Sequence, residues 1–249
     1  MDTRSGRLTI KMDGRWDIED LSEFAEGLEG VYGFFACLFV EEDYLRRRID
    51  DLVQREFWNR PFGQSHVGER VYGMLPDAAG LKILSIRYAS PGAMEIAGLL
   101  GVLLLLAKVV REWTAAGTGL VELYEKIEKF FSERPLLRKP ARNFNLGAVA
   151  GKDIDDAREL MFELGRTIGL TDKVCERVLD MAGNPLSGLK FIVALALQAR
   201  NVSELERRGL LELPAGAVRE APPEGNEKEK DGEAESEVDE PEQEPPLTN

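Results

Sequence analysis

The chain has 249 residues, 43% of them apolar, which is length for one generous domain or two small ones and enough apolar side chain for a core. Of the formal net charge of -13, nine charges fall between Arg219 and Asn249, where twelve Asp and Glu stand against three Lys and Arg. The nearly balanced remainder offers no global attraction to nucleic acid, which wants a basic face, and leaves only a local one open.

Met1 to Arg15 contains no apolar run of the kind a secretory signal needs, so a cytoplasmic location is expected. Leu8, Ile10 and Met12 alternate with Arg7, Thr9 and Lys11, predicting a half-buried strand that ends in turn chemistry at Asp13-Gly14. Asp17 and Asp20 have the spacing of a helix cap, and apolar residues from Leu21 to Leu38 keep helical period after them. Within that helix Gly27, Gly30 and Gly33 recur every third residue, each costing about 1 kcal/mol relative to Ala. Either a neighbouring helix approaches across the stripe, or the helix kinks or changes conformation there. A second amphipathic helix runs from Tyr44 to Trp58 and ends at Pro61. The Gly-rich segment from Phe62 to Gly80 reads as loop with one strand around Val71, and carries His66, the only histidine.

Leu84, Ile86 and Tyr88 alternate with Ser85 and Arg87, predicting a strand over Leu81 to Ala89. Ser90 is then placed as an N-cap and Pro91 as the first residue of a helix reaching Trp113. Its stretch from Ile96 to Val110 holds one charge, Lys108, in fifteen residues, so such a helix is buried in something. At about 1.5 Å per residue it spans roughly 22 Å, short of the about 30 Å of a bilayer's hydrocarbon, which favours a core or an oligomer interface. Ile96, Leu99, Leu100, Leu103, Leu104 and Leu106 are the candidate interface or membrane residues. Arg134, Arg138, Lys139 and Arg142 follow as a candidate patch for anionic ligands or headgroups. Gly117-Thr118-Gly119 predicts a break before a further helix from Leu120 to about Glu133.

Past a linker, where a subdivision near 140–152 is conceivable, three helices are predicted over Asp153 to Ile168, Thr171 to Met181 and Leu186 to Arg200. Ser203 starts a last helical turn, and Leu210, Leu211 and Leu213 are placed for a final strand. Gly165, Gly169, Leu170, Thr171, Cys175, Val178 and Leu179 have the spacing of a helix-turn-helix over 160–182. The would-be recognition helix, however, sets Asp172, Glu176 and Asp180 against Lys173 and Arg177, which repels phosphate, so nucleic acid is a disfavoured partner. Beyond Pro214 there is no aromatic residue, and half of the chain's twelve prolines lie from Pro214 to Pro246, among runs of charge. The body is therefore expected over 1–213 and a disordered acidic tail over 214–249.

No motif argues for an enzyme. Gly147 to Asp153 is one residue short of a phosphate loop and has Asp where Ser or Thr must be. A single histidine allows no two-histidine metal motif, and there is no G-x-S-x-G elbow. Asp50-Asp51 and Asp155-Asp156 read as solvated charge on polar helix faces, and Cys37 and Cys175 as buried, reduced thiols. No cofactor is expected. With the strand LKILSIRYASPG leading into an apolar helix, and the later NPLSGLKFIVALALQARNVSELERRGLLEL, the chain resembles a group of uncharacterised bacterial proteins that share a strand, a Ser-Pro turn and a hydrophobic helix. The resemblance covers Arg7 to Leu213 and carries no activity and no catalytic residue with it. The expected fold is α+β and predominantly α-helical, with a small sheet from the strands near Leu8, Leu84 and Leu211. The expected work is protein–protein association, with an unidentified partner or a second copy. A membrane-associated protein inserting residues 96–110 and a DNA-binding regulator using 160–182 are the alternatives.

Overall fold

The alternation at Leu8, Ile10 and Met12 appears in the computed structural model as strand β1 (Ser5–Met12), with those three side chains buried. The structure describes residues 4–12, 16–59, 65–87, 92–134, 149, 151–214 and 216–221. Helices α1 (Ile18–Ala36), α2 (Asp43–Asn59) and α3 (Val67–Tyr72) follow, then a single 3-10 turn at Asp77–Ala79 and strands β2 (Lys82–Arg87) and β3 (Gly92–Leu99). Helix α4 (Leu100–Ser132) starts directly from β3, and α5 (Gly151–Thr167), α6 (Asp172–Ala182) and α7 (Pro185–Arg207) lead to the short strands β4 (Leu211–Glu212) and β5 (Val218–Glu220). The fold is α+β and predominantly helical, a small five-stranded sheet packed against a helical body.

All strand pairs are antiparallel, in the order β2-β3-β1-β4, with β5 also beside β1. β1 and β3 pair over eight residues, from Ser5 opposite Leu99 to Met12 opposite Gly92. Their inner face, with Leu8, Ile10, Met94 and Ile96, joins one apolar core built with the helices. Tyr32 of α1 packs over Gly98, where a Cβ would crowd its ring, and its hydroxyl accepts from Leu99 N at 2.8 Å and donates to Ala79 O at 2.7 Å. One side chain thus ties α1, the 3-10 turn and the end of β3 together.

Helix α7 is the axis of the body, with fifteen buried residues between Leu186 and Leu205. Phe191 meets Phe34 of α1 and Phe57 of α2 edge-on at ring separations of 5.0 and 5.5 Å. The glycine stripe of α1 lies between two helices: Gly27 faces Val202 and Gly30 faces Gln198 on α7, while Gly33 abuts the backbone of Gly68 on α3. Close approach of neighbours is therefore what the stripe serves. Of the helix caps read from the sequence, Asp17 and Asp20 form a reciprocal capping box and Thr171 accepts from Val174 N, while Ser90 lies outside the described residues. Asn184, which the sequence pattern does not single out, accepts from Ser187 N ahead of Pro185.

Five expectations are corrected. The helix placed from Pro91 starts only at Leu100, because Gly92–Leu99 is a strand; its solvent-side residues are Ala93, Glu95 and Ala97, so the alternation is masked by helix-forming residue types. Pairing on both edges of β3 overrides that propensity. The Gly117-Thr118-Gly119 break is absent, and α4 runs through it, since about 1 kcal/mol per glycine is small beside the packing of a 33-residue helix. Val71 lies in helix α3, not in a strand, and the turn at Ser203 is continuous with α7. The body does not end at Leu213: β5 pairs with β1, Thr9 N donates to Ala217 O at 2.9 Å and Ala221 N to Ser5 O at 3.0 Å. The tail beyond Ala221 lies outside the described residues.

Candidate functional site

The apolar candidates divide between two elements. Ile96 and Leu99 belong to β3, and Leu100, Leu103, Leu104 and Leu106 open α4. Ile96, Leu100, Leu103 and Leu106 are buried, Leu99 is half-buried, and Leu104 is exposed. Four of the six are thus spent on the protein's own core. No single helix among the described residues is long and apolar enough to cross a membrane; α6 and α7 pass on length and composition only as a pair bent by 118°.

Of the basic candidates, Arg134 is described and is engaged within the fold. Its guanidinium donates to Asp153 at 2.6 Å and Asp156 at 3.3 Å and lies over the Phe130 ring at 4.3 Å. It pins the end of α4 to the start of α5. Arg138, Lys139 and Arg142, like Gly147 of the phosphate-loop near miss, lie outside the described residues. The helix-turn-helix spacing forms real helices, with Gly165 facing the Cys175 thiol and Gly169 at φ +84° in the turn. Arg166 is paired with Asp172 at 2.7 Å across it.

Both cysteines are free and buried, and burial pushes their thiols up, that of Cys175 to about 11. Such thiols stay protonated and unreactive. His66 is exposed beside Glu69 at 3.5 Å, and no group of His, Cys, Asp and Glu among the described residues is placed to hold a metal. A cleft of about 410 Å³ between α2 and α6 carries Arg46, Lys173 and Arg177 against Asp50, Glu176 and Asp180. Those charges cancel, leaving no net sign to select an ion. Asp50, expected as plain solvated charge, lines this cleft with its carboxyl held above the usual range by burial and pulled back by Arg46.

The candidate surface that the sequence pattern did not disclose is the outer side of strand β2, all six of whose residues are exposed. In register it mirrors β3: Ile83 stands opposite Ile96 and Ile86 opposite Met94, so both isoleucines are on the core side of the sheet. Yet the core stops at β3. Ile83 is 62% and Ile86 51% exposed, while their partners Ile96 and Met94 are 1% and 3% exposed. Leu84, at 43%, is the extra residue of a β-bulge between Ile83 and Ser85. On the other face Lys82 and Arg87 flank Ser85, and neither cation forms an ion pair with a described residue. Among the described residues β2 pairs only with β3, so its outer edge offers backbone N–H and C=O groups to a further strand. The sequence pattern sets Leu84 beside Ile86 on one face, whereas the bulge at Leu84 puts Ile83 there instead; the exposure of both isoleucines follows from how far the helical body reaches, which no local pattern encodes.

No family model, no curated protein and no solved structure matches this chain.

Proposed function

We propose that this protein is an association module whose docking surface is the outer edge of β2. The observation that carries the reading is the position of Ile83 and Ile86: on the core side of the sheet by register, but more than half exposed. Soluble folds blunt their edges with charge, bulges, proline or a covering element; β2 has a bulge and a cation near each end, but no described element covers its isoleucines, and an uncovered edge with apolar side chains invites pairing. Covering what remains exposed of two isoleucine side chains is worth on the order of 2 kcal/mol, and main-chain hydrogen bonds add register. A small apolar area joined to an unpaired edge fits a regulated or transient contact better than a permanent one.

The test places a photoreactive benzoylphenylalanine at Ser85 of β2 or, as a control, at Glu122 on α4, and follows crosslinked adducts by gel mobility in cells that make the protein. Adducts are expected from Ser85 and not from Glu122, and their loss is expected when Ile83→Lys and Ile86→Lys are added. Equal adducts from both positions, or adducts indifferent to the two lysines, overturn the reading. Because both side chains already face water, the double variant should change unfolding free energy by less than about 1 kcal/mol in a urea titration, so loss of adducts does not reflect loss of fold.

A further inference from the structure

The two faces of β2 differ in chemistry, and that difference specifies a partner; the inference rests on the β2 edge being the docking surface. On the core side stand Ile83 and Ile86, and on the outer face Lys82 and Arg87, one near each end of the strand. A strand hydrogen-bonded to the free edge places its own side chains directly opposite these, alternating between the same two faces. Apolar residues are then wanted opposite the isoleucines and carboxylates opposite the two cations. We infer that β2 takes an extended segment of another protein in which apolar and acidic residues alternate.

A second copy of this chain fits less well. The antiparallel register that sets Ile83 of one copy opposite Ile86 of the other also sets Lys82 opposite Arg87, twice over, and like charges directly opposite destabilise a pair. The chain's own acidic tail fits less well too. Between Pro222 and Asn249 its only large apolar residues are Val238 and Leu247, nine positions apart, so no short strand from it answers both isoleucines. The occupant is an acidic strand from elsewhere, held by backbone pairing, with the isoleucines giving affinity and the cations giving charge selection.

The experiment measures binding of fluorescent peptides of about eight residues to the full-length protein by anisotropy at low ionic strength. One peptide alternates valine with glutamate, one alternates valine with lysine, and one has the first composition arranged in two blocks. The alternating acidic peptide is expected to bind at least about tenfold more tightly than either other, and added salt should weaken it. Lys82→Glu with Arg87→Glu should reverse the preference to the lysine peptide, and Ile83→Asn with Ile86→Asn should abolish binding of both. Equal affinity for all three peptides, or no binding of any, overturns the inference. So does sedimentation as a dimer that the two asparagines disperse, and so does a tenfold or greater gain in peptide affinity on truncation after Ala221, which would give the edge to the tail. Each of those last two results leaves the β2 docking surface standing, whereas failure of the Ser85 crosslinks removes it.

Discussion

Lys190 carries its ammonium into the body, 6% exposed, and donates to the Phe57 carbonyl in the last turn of α2 at 3.2 Å. A cation suits that end of a helix, but burial lowers its pKa from 10.5 to about 8. Between those values the unfolded chain holds a proton that the folded chain has released, so this group makes stability rise with pH from about 8 to about 10.5. Below that window the full cost of a buried charge is present, on the order of 3 kcal/mol. The buried thiols and Tyr32, whose hydroxyl burial pushes up to about 12, act in the opposite sense at high pH, since their protons are lost first from the unfolded chain. The comparison with Lys190→Met isolates the amine: urea midpoints at about pH 7.5 and about pH 10 should rise more for the parent protein than for the variant. Parallel changes in both would mean that the ammonium stays charged throughout.

Two glycines separate by the same logic of surroundings. A Cβ at Gly33 overlaps the backbone of Gly68, and neither helix has a flexible side chain there to move, so Gly33→Ala should cost about 3 kcal/mol or more. Gly119 sits in α4 with nothing near its missing Cβ, so Gly119→Ala should stabilise by about 0.5 to 1 kcal/mol. Thermal unfolding of the two variants in parallel checks both signs; a harmless Gly33→Ala would mean that α1 and α3 are not held in that contact. The stripe Gly27, Gly30, Gly33 was legible in the sequence as a cost needing compensation, but which helices supplied it was not.

At the level of elements, the sequence was most readable where period and cap agreed. α1, α2, α5, α6 and α7 announce themselves through Asp17, Thr171 and apolar residues at helical spacing, the Asn184-Pro185 start of α7 being plain only in the structure. β3 is the instructive loss. Ala93, Met94, Glu95, Ala97 and Leu99 are helix formers, and their strand conformation comes from β1 and β2 on either side. A hairpin is a non-local decision, since each strand's pattern makes sense only with its partner's. Without β3 the neighbour and register of β2 are unknown, whereas the pairing of Ile83 with Ile96 shows at once that one is covered and the other is not.

For the molecule as a whole, the boundary placed at Pro214 mistook composition for architecture. Ala217 is 6% exposed, Arg4 and Glu220 pair at 2.9 Å, and β5 lies on β1. Truncation after Leu213 should therefore be less stable than truncation after Ala221 by about 2 kcal/mol, the sum of a few net hydrogen bonds and some apolar area, readable in urea midpoints. Equal midpoints would show that β5 contributes nothing.

The place of β1 in the sheet has a consequence for how the protein is made. β1 lies between β3 on one side and β4 with β5 on the other, and Lys11 bonds Glu212 across 201 residues of chain. At about 5 to 20 residues per second, a ribosome presents β1 roughly 10 to 40 seconds before its last partners emerge. For the first part of that interval β1 has no partner strand, and afterwards only β3, so the newborn chain should be the state of this protein that most depends on chaperones.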